Sequence, residues 1–143
     1  MIGHKFAPLV IVACAYAAVG AGSAAMANAA STIPVRDAWR LGAFAASAVI
    51  FAMHIWFEFY RRNHSARVAA RYTSNSVEIA ALALAAIATA HQLSLPPTAR
   101  APYFGAALIV WPLLTGIASF FAALILCALL SRTPWRPQAT RVD

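Results

Sequence analysis

The sequence predicts an all-α integral membrane protein, a bundle of four transmembrane helices. Three observations carry that expectation. First, 62% of the 143 residues are hydrophobic and 10% are charged, against about 25% charged in a soluble domain. Most of the chain must therefore face lipid or other protein. Second, four apolar stretches, at about 6–28, 38–60, 76–93 and 103–130, are each long enough to cross a bilayer. Third, the basic residues fall unequally on the segments between them. With the N-terminus inside, Lys5, Arg61, Arg62, Arg67, Arg71, Arg132, Arg136 and Arg141 lie on the cytoplasmic side, and only Arg36, Arg40 and Arg100 lie outside. That bias predicts an N-in, C-in protein of a bacterial-type inner membrane. The net charge of +7 is thereby explained by topology, and nucleic acid is not an expected partner.

The first stretch, MIGHKFAPLVIVACAYAAVGAGSAAMANAAS, has two readings. Its basic start, apolar run and Ala27-Asn28-Ala29 fit a secretory signal, which would leave three spans. The length of the run from Phe6 to Ala27 favours a resident helix. Its second half, rich in Ala, Gly and Ser from Ala17 to Ala25, offers a surface that a neighbouring helix can approach closely.

A polar loop, STIPVRDAWR, follows, in which Pro34 stops any helix continuing from before it. Asp37 is placed to cap or open the second helix, and Trp39 sits where an interfacial aromatic belongs. The second helix ends in Trp56, Phe57, Phe59 and Tyr60, which read as an aromatic belt. The run RRNHSARVAARYTSNS comes next, with four arginines and no acid.

A third helix is expected from Ser76. Asn75 and Glu78 have the spacing of a capping box with Asn in the cap position, and Ala81, Ala85 and Ala88 or Thr89 make a small-residue face. Prolines at 96, 97 and 102 stiffen the next connection. In the fourth helix Pro112 predicts a kink. Gly105, Pro112, Thr115, Gly116, Ser119 and Ala123 fall near one face, the protein-facing side. The tail, 131–143, is expected to lack regular structure. Cys14 and Cys127 both lie in apolar runs, with no partner spacing, and read as small buried hydrophobes.

The strongest candidate for chemistry is on the second helix. His54 and Glu58 are one turn apart and Arg62 follows one turn later, so the three share a face. Ionisable residues inside a membrane are costly and mark proton, quinone or haem sites. The structural alternative is that Glu58 simply pairs with Arg62 near the interface. A haem held between His54 and His91 is disfavoured by depth, because the two differ by about 13 Å along their helices. His4 and His64 read as ordinary flanking residues. No phosphate loop, metal cluster or nucleophile with a base is present in the sequence.

The spacing R-x-x-x-N-x-x-E at Arg71, Asn75 and Glu78, entering a span from the basic side, resembles the signature of the MAPEG family of small four-helix membrane proteins. The resemblance implies a glutathione-dependent transferase, in which those three residues would contribute to a glutathione site. The chain departs from the family pattern after Glu78, where it continues IAALALA without a proline.

The leading functional expectation is non-enzymatic: an accessory or structural subunit that packs against other membrane protein chains, or against copies of itself, through its small-residue faces. The alternatives are proton, quinone or haem handling centred on His54 and Glu58, and the glutathione-dependent transferase. No cofactor is implied.

Overall fold

The computed structural model describes residues 3–94 and 101–132, and among them it holds four long helices and no strand. Helix α1 spans Gly3–Ala29, α2 Ile33–Trp56, α3 Ala66–Leu93 and α4 Ala101–Leu130, and α2 runs on into one π-helical turn, Phe57–Arg61. All four are long and apolar enough to cross a membrane. Most of the 94–102 connection and of the 131–143 tail lies outside the described residues.

Two helices begin earlier than their residue types foretold. α2 starts at Ile33 rather than near Ala38, with Thr32 in the extended cap position and a proline in the first turn. There the missing N–H of Pro34 costs nothing, because that donor has no intrahelical acceptor. Asp37 is consequently no cap. It sits inside the helix with its carboxylate 3.5 Å from Arg40, both exposed.

α3 starts at Ala66 rather than Ser76, and Ser65 takes the extended cap position. The Asn75–Glu78 capping box therefore does not form. Ala66 to Arg71 is mostly Ala and Arg, good helix formers that carry the helix into the polar stretch beyond. The two serine hydroxyls of that stretch are satisfied within the helix, while that of Thr73 is buried without a partner among the described residues. Ser74 donates to the Arg71 carbonyl at 3.1 Å and Ser76 to that of Tyr72 at 3.2 Å, the back-bonding open to a serine inside a helix.

α3 and α4 form the most extensive contact of the bundle and run antiparallel. At one end the Thr89 hydroxyl reaches the Phe104 carbonyl at 3.3 Å. At the other, Ala69 and Ala70 share a buried cluster with Ala123 and Cys127. The face of α4 expected to meet protein does so: Pro112, Gly116, Ser119 and Ala123 are buried and Thr115 half-buried, while Gly105 is exposed. Small side chains let the backbones approach, and in lipid that packing replaces the hydrophobic effect as the source of helix association.

α1 packs on α2 and α3 and buries Leu9, Ala13, Tyr16 and Ala27. At Gly20 an added Cβ would lie 2.6 Å from Leu84 Cδ1. Cys127 is buried as expected, but Cys14 is exposed, because it faces away from both neighbours of α1.

α2 meets α3 and α4 sparingly, and the tight contact is at its last turns. There Ile55 and Phe59 enter the cluster of Ala69, Ala70, Ala123 and Cys127. The Tyr60 hydroxyl donates to the Leu130 carbonyl at 2.8 Å and joins the end of α2 to that of α4. The aromatic run thus divides: Trp56 and Phe57 are exposed, Phe59 is core and Tyr60 is half-buried. Elsewhere α2 stands off from α4. A cleft of about 600 Å³ remains between them, walled by all four helices.

Ala70 is fully buried where α2, α3 and α4 meet. Ala70→Leu is expected to destabilise the bundle by about 1–3 kcal/mol through overpacking, measured as a lower midpoint of thermal unfolding in detergent. Ile87→Leu, on an exposed face, is expected to leave that midpoint unchanged.

Candidate functional site

The site is built by the way α2 ends. Across Phe57–Arg61 the helix widens to a π turn, and the Arg62 N–H donates to the Phe57 carbonyl five residues back, at 3.1 Å. Asn63 then takes a left-handed conformation, φ 53°, which Asn tolerates better than other residues with a Cβ. The reversal returns the chain over its own last turn, and the His64 N–H reaches the Glu58 carbonyl at 3.2 Å.

This geometry gathers three ionisable side chains around one carboxylate. Glu58 is 1% exposed. His64 Nδ1 lies 2.9 Å from its Oε2, and Arg62 Nη1 and His54 Nε2 each lie 3.6 Å from its Oε1. Only the His64 contact has hydrogen-bond length; the other two are charge contacts. His64 also stacks on Tyr72 of α3, ring centroids 5.3 Å apart and planes 17° from parallel. The Arg62 guanidinium stands 5.6 Å from the centre of the Phe57 ring, within reach of a cation–π interaction.

The four residues are graded in depth. The side chains of Arg62 and His64 are 27% and 29% exposed, whereas that of His54 is 2% exposed. Neither ring nitrogen of His54 has a hydrogen-bond partner among the described residues. The cluster therefore runs from a wet rim, through a buried carboxylate, to a buried imidazole with free bonding capacity.

His54, Glu58 and Arg62 come together as their i, i+4 spacing predicted. His64 belongs with them and was not expected. Six residues from Glu58, it has no helical relation to it, and the left-handed Asn63 is what returns it. The one available signal was Asn between a helix end and a histidine, a common stop position.

His91 stands exposed near the far end of α3, roughly 38 Å along that helix from its start beside the cluster. Arg71, Asn75 and Glu78 lie on one stripe of α3, with Arg71 exposed and the other two half-buried. Among the described residues no group of three His, Cys, Asp or Glu is placed to hold a metal ion.

No family model, no curated protein and no solved structure matches the chain.

As arranged, the cluster is a latch. Glu58 ties the last turn of α2 to the reversal that starts α3, and His64 links that reversal to Tyr72. Removing His64 should loosen the turn. His64→Ala is expected to raise hydrogen exchange at the Arg62 and His64 amide positions by about tenfold, the effect of losing one hydrogen bond to a charged group. Arg61→Ala, at an exposed neighbour, should leave that exchange unchanged.

Proposed function

We propose that the protein is a small non-enzymatic membrane subunit that receives a transmembrane helix of another polypeptide in the cleft between α2 and α4. The observation that carries this reading is the cleft itself. Its walls are mostly small or apolar, including Ala52, Ala81 and Ala122, with Ser47 and Thr115 among them. Such walls favour the close approach of a helix backbone.

A polar group separates a protein occupant from lipid. Tyr16 lines the cleft, and its hydroxyl is buried without a partner among the described residues. An unpaired hydroxyl in an apolar setting costs about 1–3 kcal/mol. Ser47 and Thr115 also line the cleft, and a helix carrying Ser, Thr, Asn or Gln can bond to such hydroxyls where an acyl chain cannot. In this reading the arginine-rich end of the bundle faces the cytoplasm of a bacterial-type inner membrane, which the charge bias supports.

The latch supports the same reading. It fixes α2 to α3 at one end, where Ile55, Phe59 and Tyr60 meet α4, so the cleft has a defined width without being filled.

A second reading rests on His54. A buried imidazole beside a buried carboxylate, joined to the surface through His64, can hold and pass a proton. His54→Gln and Glu58→Gln test it: loss of parent-complex activity with assembly intact favours proton handling, and unchanged activity removes it.

Filling the cleft should compete with the partner. Ala52→Trp and Ala122→Trp are each expected to abolish co-purification of a chain that accompanies the wild type at fixed stoichiometry in mild detergent. Met53→Trp, on a lipid-facing position, should retain it.

A further inference from the structure

One end of the bundle carries positive charge that no acid answers. Arg61 closes the π turn of α2, Arg67 and Arg71 lie near the start of α3, and Arg132 follows α4. The bond from Tyr60 to the Leu130 carbonyl brings the ends of α2 and α4 together there. All four arginines are exposed. Among the described residues none of their side chains has an ion pair or a hydrogen bond. Glu58, the acid of this end, is 1% exposed and already meets Arg62, His54 and His64. Glu78, about two turns on from Arg71, lies against Gly116 of α4. At the opposite end, by contrast, Asp37 stands beside Arg40.

Arg67 and Arg71 are one turn apart on one face of α3, where like charges repel. An anion between them turns that repulsion into two attractions. A phosphate suits the flat guanidinium best, because it accepts two parallel hydrogen bonds from it. The surroundings of the pair select the kind of phosphate. α3 has 28 residues, about 42 Å of helix, against a hydrocarbon core of about 30 Å. Its only arginines fall in the first two turns, so the surplus length places them at headgroup level rather than in the apolar layer. Leu82, about three turns along the same face from Arg71, is exposed, as is Ile79 beside it. Trp56 and Phe57, about one turn before Arg61, are exposed too, and tryptophan favours the boundary between headgroups and hydrocarbon. A free anion or an acidic protein segment uses only the charges of this surface, whereas a phospholipid uses the charges and the apolar side chains together.

We propose that Arg67 and Arg71, with Arg61 on the other side of the chain reversal, bind the headgroup phosphate of an anionic phospholipid. A zwitterionic headgroup would bring its own cation among the arginines and be repelled. The site lies outside the α2–α4 cleft and does not depend on what fills it.

The test is native mass spectrometry of the full-length chain released from nanodiscs of equal parts phosphatidylglycerol and phosphatidylcholine. Phosphatidylglycerol should be retained in preference to phosphatidylcholine. A basic residue near an anionic headgroup gives about a fivefold preference, so Arg67→Gln and Arg71→Gln should each lower the ratio of the two lipids by about that factor. Arg40→Gln, which removes the same charge from the opposite end, should leave the ratio unchanged, and excess inorganic phosphate should not displace the lipid. Four results would overturn the proposal. These are equal retention of the two lipids, which would leave the patch to an acidic protein segment; an unchanged ratio in both Arg67→Gln and Arg71→Gln; an equal fall in Arg40→Gln, which would make net charge the cause; and displacement by phosphate, which would mark a free-anion site.

Discussion

A carboxylate removed from water must find positive charge or hydrogen-bond donors, and Glu58 finds both in the ten residues around it. Its partners come from the helix before it, the turn after it and the chain reversal beyond. To supply them the last turn of α2 widens to a π turn and Asn63 goes left-handed. Such departures from regular geometry cost energy locally and persist where the surroundings demand them. Here the demand is electrostatic. With Glu58 held, Ile55 and Phe59 face the α3–α4 pair, and Tyr60 covers the end of α4.

The consequence is a bundle that is firm at one end and open in the middle. α3 and α4 pack along their lengths through Ala, Gly and Ser, and α1 braces α3 through Gly20 and Leu84. α2 packs along α1 but is joined to α3 and α4 chiefly at its last turns. The cleft it leaves is lined by small residues among larger apolar ones such as Phe44, Phe51 and Trp111, and by Tyr16, whose buried hydroxyl has no partner among the described residues. In lipid, where apolar surfaces gain nothing by leaving the solvent, an unfilled groove with an orphaned polar group is the kind of surface another helix completes.

Much of this was legible in the sequence, and the rest was hidden for definite reasons. Long apolar runs report helices of membrane length directly, because lipid forces each backbone to satisfy itself. The buried face of α4 followed from its small residues at helical spacing, and the His54–Glu58–Arg62 grouping from i, i+4 geometry. The start of α3 was obscured by Tyr72-Thr-Ser-Asn-Ser, polar residues that suit a loop, though their serines bond back to the helix when good helix formers precede them. Pro34 looked like a breaker and is a starter, a difference set by one turn of position. His64 was out of reach, because a left-handed residue returns it to Glu58 and no periodicity encodes that. The cleft was equally hidden, since it depends on where α2 does not touch α4.

The central claim, that the α2–α4 cleft holds a helix of another chain, is tested most directly by photo-cross-linking in intact membranes. A photoreactive amino acid would be placed in turn at positions 52 and 122 in the cleft and at position 125, exposed on α4. The account predicts an adduct from 52 and 122, but not from 125, with one apolar segment of one other polypeptide. Adducts with lipid alone, with a second copy of this chain, or equally from all three positions would contradict it.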